Sequence, residues 1–168
     1  HQLVLSVIAG ISTSYIEKRL NNNQPVIRVM PNTSSMIGES ATAISIGLYA
    51  TEEQVTFSKK LLTSIGKVYI IDEEHMDVFT GLAGSGPAYF YYLMEHMEKT
   101  AKEAGLDQTI CRDIVAQTIL GAAKMMLENN EEPSSLREKV TSPNGTTAAG
   151  LAALRTHGGG TAISEAIK

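Results

Sequence analysis

The apolar pattern of this chain changes period near residue 72, and that change limits the folds open to it. Ahead of it, short apolar runs alternate with amphipathic segments. Residues 3–9 form an apolar run, broken only by Ser6 and ending at Gly10, as expected of a strand buried on both faces. Ser12 or Ser14 can cap a short helix reaching about residue 20. A polar loop over 21–24 precedes a second strand at 26–30, stopped by Pro31 and Asn32. Residues 41–47 alternate as a third strand would. Thr51 and Gln54 have capping-box spacing for a helix to about residue 65, closed by Gly66. Residues 67–71 make a fourth strand. Such strand–helix–strand punctuation predicts an α/β layer with a largely parallel sheet.

From about Glu73 onward the period is helical. A helix is expected over 73–104, disturbed at 84–87, where Pro87 would kink it. Asp107 or Thr109 caps a second, to about residue 127, with Ile110, Ile114, Val115, Ile119, Ala122, Ala123 and Met126 at helical spacing. A polar loop at 131–135, a short helix at 136–140, a turn at 141–147 and a further helix from 148 complete an all-α second part. The expected division is 1–72 and 73–168.

Composition narrows the function classes. The chain has 43% apolar and 19% charged residues and a net charge of −4, an ordinary globular balance with no basic cluster. That argues against nucleic acid or an acidic membrane surface as partner. The longest apolar stretch is interrupted by Ser6 and Gly10 and falls far short of the ~20 residues of a membrane span. One cysteine, Cys111, cannot form an internal disulfide, and a reducing cytoplasmic setting is the expectation. The four histidines show no i, i+4 pair and no cysteine partner, so no metal site is expected. The chain starts at His1, almost directly in an apolar strand, and stops inside an amphipathic pattern. The expectation is that it is part of a longer protein.

Two segments carry the chemistry. Residues 80–89 read TGLAGSGPAY, small residues that allow another backbone to approach closely. Plain helix packing and a space beside a ligand both fit them. No Gly-Lys-Ser/Thr follows, so this is not a phosphate loop. Residues 141–147 read TSPNGTT, a turn feeding a helix whose free N–H groups suit a small carboxylate. A simple cap by Thr146 or Thr147 is the plainer alternative. Residues 28–33, RVMPNT, and the pair Ala9-Gly10 end predicted strands, where open α/β sheets bind ligands.

The order of these motifs resembles pyrroline-5-carboxylate reductase along essentially the whole chain: Ala9-Gly10, SYIEKRL, RVMPNT, SIG, TGLAGSGPAY, GAAKMML and SPNGTT. Asn144 stands where that family usually has the first glycine of Ser-Pro-Gly-Gly, and asparagine tolerates positive φ. The resemblance implies an α/β partial Rossmann domain with a parallel sheet (residues 1–72), followed by an all-α dimerisation and substrate-binding domain (73–168). It implies hydride transfer from NADPH, or NADH, to the imine of 1-pyrroline-5-carboxylate, giving L-proline. It places Ala9, Gly10, Pro31 and Asn32 at the nicotinamide. Glu73, Ser142, Gly145, Thr146 and Thr147 fall at the substrate, with Thr147 as the hydroxyl that supplies the proton and Glu73 near the ring nitrogen. Lys139, one turn ahead of that turn, is placed to reach a phosphate. A homodimer with interleaved helices is implied, and larger assemblies of dimers fit the family.

The family's Gly-rich fingerprint is missing from these residues. The alternative reading is therefore a dimerising fragment without catalysis, and these residues by themselves are expected to be inactive. A hydroxy-acid dehydrogenase fits less well, because Lys99, Lys102 and Lys124 lie in no catalytic-lysine motif.

Overall fold

The computed structural model describes residues 2–20 and 23–168. His1 and two residues of the expected loop, Asn21 and Asn22, lie outside them. The chain divides into two compact units, residues 1–89 with 167–168, and residues 90–166.

The first unit is built on a four-stranded sheet in the order β1 (Val4–Ser6), β2 (Val26–Met30), β3 (Ser40–Ile46), β4 (Gly66–Ile70). β1 and β2 pair parallel, as do β3 and β4, but β3 runs antiparallel to β2. The sheet is parallel-dominated with one reversed junction, where the short 3₁₀ turn Thr33–Ile37 returns the chain directly instead of a crossover helix. Asn32 starts that turn by accepting from the Ser34 amide, and Gly38 ends it at φ 76°.

β1 is shorter than its apolar run. Among the described strands it pairs only with β2, and Val7 and Ile8 beyond it are 63% and 57% exposed. The run 3–9 therefore is not a strand covered on both faces here. The capping residues are Ser12 for α1 (Thr13–Glu17) and Thr51 for α2 (Glu52–Leu62), where the reciprocal Thr51–Gln54 box is complete. After a 3₁₀ turn, Gly66 turns into β4 at φ 143°, and any Cβ there would collide with the Ser40 backbone.

Alternation along β2 sorts its side chains onto two faces. Ile27 and Val29, with Ile44 of β3, pack under Leu3, Leu5, Val55, Leu62 and Val68. Met30 and Ala43 meet Met76, Ile71 and Phe79 on the other face. Arg28 belongs to that second face by parity and is 4% exposed. The covering segment is the 3₁₀ turn Glu73–His75, the short α3 (Met76–Phe79) and a π turn, Thr80–Gly84.

α4 (Gly86–Glu103) carries the chain into the second unit, which holds α5 (Gln108–Asn129), α6 (Pro133–Lys139), α7 (Thr146–Thr156) and most of α8 (Gly159–Ile167). Asp107, not Thr109, caps α5. α6 begins at Pro133, inside the expected polar loop, because proline at a first helical position loses no hydrogen bond. Asn130 closes α5 with φ 49°. Large apolar side chains along α4 and α5 are open, among them Phe90, Tyr92, Ile110, Ile114 and Leu127.

Candidate functional site

Each unit holds some of the residues expected at the site. In the first, β1 and β2 run side by side with a constant offset of 22 residues from Val4↔Val26 to Ser6↔Arg28. Ala9 and Gly10 follow the end of β1, and Pro31 and Asn32 follow the end of β2, so both pairs lie beyond the carboxyl ends of two parallel strands. Gly10 has φ 73°, and a Cβ there would meet nothing within 4 Å. The backbone at that point is therefore open to a ligand lying against it. These residues fit the nicotinamide end of a dinucleotide. No Gly-rich turn among them would hold its pyrophosphate.

Beside Gly10 lies a hollow of about 340 Å³ lined by Ile11, Ser12, Tyr15, Arg28, Glu73 and Asp77 among others. Its wall is organised by one carboxylate. Glu73 accepts from the Thr13 amide at 2.8 Å and the Thr13 hydroxyl at 2.6 Å. Arg28 Nη1 stands 3.6 Å from the same group. Glu73 thus supplies negative charge at the first turn of α1 from 60 positions away, where the helix dipole favours it. It also neutralises a buried guanidinium whose Nε and Nη2 have no hydrogen-bond partner among the described residues. The remaining countercharge, Asp77, is 3.8 Å from Nη2 and almost fully exposed. The expectation that Glu73 sits at a substrate nitrogen meets a different arrangement: both its oxygens already accept protein hydrogen bonds.

The glycine-rich segment is irregular one turn earlier than expected. The Ser85 amide donates to the Thr80 carbonyl at 2.8 Å, closing the π turn, and Pro87 sits in the first turn of α4 instead of kinking a helix interior. Gly81 is required by packing, since a Cβ there would strike the backbone carbonyl of Ile167. Asn32 Nδ2 donates to the Ala83 carbonyl of this turn at 3.0 Å.

In the second unit, Asn144 adopts φ 59°, the left-handed conformation that asparagine tolerates. Gly145 follows as N-cap of α7, and its amide donates to the Ser142 carbonyl at 3.1 Å. A Cβ on Gly145 would lie 2.5 Å from Ser142 Oγ and 3.2 Å from the Ser142 carbonyl oxygen, so a side chain there requires the Ser142 hydroxyl to shift. No side chain caps α7. The plainer alternative, a threonine cap, is not what forms. Elsewhere, as at Thr118 and Thr141, hydroxyls bond back to the carbonyl one turn earlier. Thr146 and Thr147 open the helix and have no such carbonyl behind them. Among the described residues their hydroxyls have no hydrogen-bond partner, while Thr147 is half-buried. Lys139 is not free for a phosphate: its ammonium lies 2.6 and 2.7 Å from the Glu131 oxygens, and Ser135 donates to Glu131 as well. The Lys139 hydrogen bond holds the Glu131 carboxyl below the ordinary carboxylate range.

Asp72, Glu74 and His75 bring three potential ligand atoms within 4.8 Å of one another, all exposed. Consecutive polar residues in one tight turn account for this. Among the described residues no helix is long and apolar enough to cross a membrane.

Comparison with known proteins points to one family. The family model for pyrroline-5-carboxylate reductase dimerisation matches residues 73–168. Pyrroline-5-carboxylate reductase 1 of Bacillus spizizenii is 64% identical over 168 residues, covering 100% of this chain and 57% of the relative. Pyrroline-5-carboxylate reductase 2 of Bacillus subtilis is 44% identical over 154 residues, 92% of this chain and 55% of the relative. The chain thus spans somewhat more than half the length of these curated relatives. Among solved structures, 1-pyrroline-5-carboxylate reductase from Streptococcus pyogenes superposes with a TM-score of 0.94 at 33% identity, over 99% of this chain and 64% of that one. Plasmodium falciparum pyrroline carboxylate reductase, solved with NADP bound, gives 0.93 at 26% identity, over 99% and 67%. By sequence and fold, this chain belongs to the pyrroline-5-carboxylate reductase family, with the family's dimerisation part over residues 73–168.

Proposed function

We propose that these residues form the substrate-side and assembly part of a cytoplasmic pyrroline-5-carboxylate reductase, residues 1–72 belonging to its nucleotide-binding domain and 73–168 to its dimerisation domain. The reaction reduces the C=N bond of 1-pyrroline-5-carboxylate to give L-proline, the last step of proline biosynthesis. The hydride comes from NADPH, or from NADH, and is delivered to the imine carbon; the nitrogen takes a proton. The observation that carries this reading is the open first turn of α7, where, among the described residues, the Thr146 and Thr147 hydroxyls have no partner and no side chain caps the helix.

The substrate carboxylate binds the amides of Thr146 and Thr147, with the Ser142 hydroxyl beside them. Gly145 contributes its tight turn, its own amide being engaged with Ser142. The Thr147 hydroxyl donates or relays the proton to the ring nitrogen. Glu73 acts by holding Thr13 and Arg28, and so the loop of Gly10, rather than by touching substrate. Ala9, Gly10, Pro31 and Asn32 face the nicotinamide end of the cofactor.

The open apolar faces of α4 and α5 support a homodimer through these helices. The same faces also fit a second reading, a dimerising module without catalysis. The two are separated by Thr147→Ala, measured with a complete nucleotide-binding segment preceding these residues. A fall in kcat of about 10²-fold or more supports the proton role. Unchanged kinetics removes Thr147 from it.

A further inference from the structure

We infer that Asn32 is a positioning residue. It supplies the hydrogen bond that Pro87 withholds from the Ala83 carbonyl, and so ties the Pro31–Asn32 strand end to the glycine-rich π turn. The inference deepens the reductase reading and rests on it for its effect on cofactor binding.

The carbonyl of Ala83 lacks both its α-helical and its π-helical backbone donor. Its α-helical donor would be residue 87, and proline has no N–H. Its π-helical donor would be residue 88, and the Ala88 amide is already spent on the Ser85 carbonyl at 2.9 Å. A carbonyl left alone at this half-buried position carries a desolvation cost. Asn32 Nδ2 meets it at 3.0 Å.

Asn32 makes two further hydrogen bonds. Its Oδ1 accepts from the Ser34 amide at 3.2 Å, setting the turn that reverses the chain into β3. Its own amide donates to Ser40 Oγ at 3.2 Å, and Ser40 Oγ lies 2.9 Å from Thr42 Oγ1 in the buried part of that strand. One residue therefore fixes a strand end, the reversing turn and the π turn against each other. Two motifs that are separate in sequence, MPN and GSGP, work as donor and vacancy. With one Nδ2 proton, Oδ1 and the backbone amide all engaged in protein hydrogen bonds, Asn32 acts on the nicotinamide side by placing Pro31 and its own backbone.

The test is a cycle of Asn32→Ala, Asn32→Asp, Pro87→Ala and Asn32→Ala/Pro87→Ala. It is made in the reductase with its nucleotide-binding segment in place, and read by urea unfolding and by fluorescence titration with NADPH. Asn32→Ala is expected to weaken NADPH binding about tenfold and to lower the unfolding midpoint. Asn32→Asp keeps an acceptor for Ser34 but loses the donor to Ala83, and should weaken NADPH as Asn32→Ala does. Pro87→Ala, in the Asn32→Ala background, gives Ala83 a new amide donor. It should recover part of the lost midpoint without restoring NADPH affinity. The inference is overturned if the two substitutions are additive in the unfolding midpoint, or if Asn32→Asp binds NADPH like the unsubstituted enzyme. If the unsubstituted enzyme does not bind NADPH, the functional reading fails instead, and the unfolding cycle alone decides the brace: a midpoint recovery supports it and additivity overturns it.

Discussion

Removal of the Glu73 carboxylate should destabilise the first unit more than its partial exposure suggests. Glu73 side-chain exposure is 28%, yet it faces Arg28, which is 5% exposed at the side chain. Taking one partner from a buried ion pair costs about 3–5 kcal/mol, because the other charge stays buried without compensation. Asp77 returns little of that, being 93% exposed and 3.8 Å away. The two Thr13 hydrogen bonds, at 2.8 and 2.6 Å, are charge-assisted and add to the loss. Allowing for the exposed edge of the carboxylate, Glu73→Ala should cost about 3 kcal/mol. Glu73→Gln keeps an acceptor for the Thr13 amide and should cost roughly half as much. Arg28→Met in the Glu73→Gln background removes the stranded charge, so the double variant should be less destabilised than the sum of the singles. The assay is urea unfolding followed by far-ultraviolet circular dichroism at neutral pH and fixed protein concentration, since dimerisation shifts apparent stability. A cost below about 1 kcal/mol for Glu73→Ala, or strict additivity with Arg28→Met, would refute the argument.

Further outcomes follow from single residues. Thr51→Ala opens the capping box of α2 and should cost about 1 kcal/mol, read from the same unfolding curves. Ile44→Ala leaves a void between β2 and α2 and should cost about 3–4 kcal/mol. Gly145→Ala should disrupt the Ser142 turn; near-wild-type activity and stability would show that the turn tolerates a side chain. Glu131 has its carboxyl held low in the folded chain by Lys139, so its contribution is present above the unfolded carboxylate range and fades as pH falls through the folded value. Lys139→Met should flatten that acid limb, and an unchanged carbon-13 titration of Glu131 in the variant would contradict the pairing.

Local chemistry made much of this fold legible. The Thr51–Gln54 box, the Ser12 and Asp107 caps and the four strands are encoded within a few residues, and the structure places them within a residue or two, β1 excepted. The left-handed Asn144 was legible because few residue types tolerate that conformation. Pairing direction was not: the apolar run of β3 reads the same whether its neighbour is parallel or antiparallel, and only the short turn at Thr33–Ile37 sets the reversal. The roles of Glu73 and Asn32 were also out of reach. Their partners are 60 and 51 positions away, and nothing in the local pattern marks a carboxylate as a remote helix cap or an amide as a substitute for a proline's missing donor. The Lys139 assignment went astray for a related reason, since Glu131 stands eight residues back on the far side of a helix start.

The most direct test of the central claim is NADPH oxidation on addition of 1-pyrroline-5-carboxylate, by these residues joined to a complete nucleotide-binding segment. The account predicts oxidation matched by L-proline formed, and its near-abolition by Thr147→Ala. A folded dimer that binds NADPH but forms no proline from the imine would contradict it.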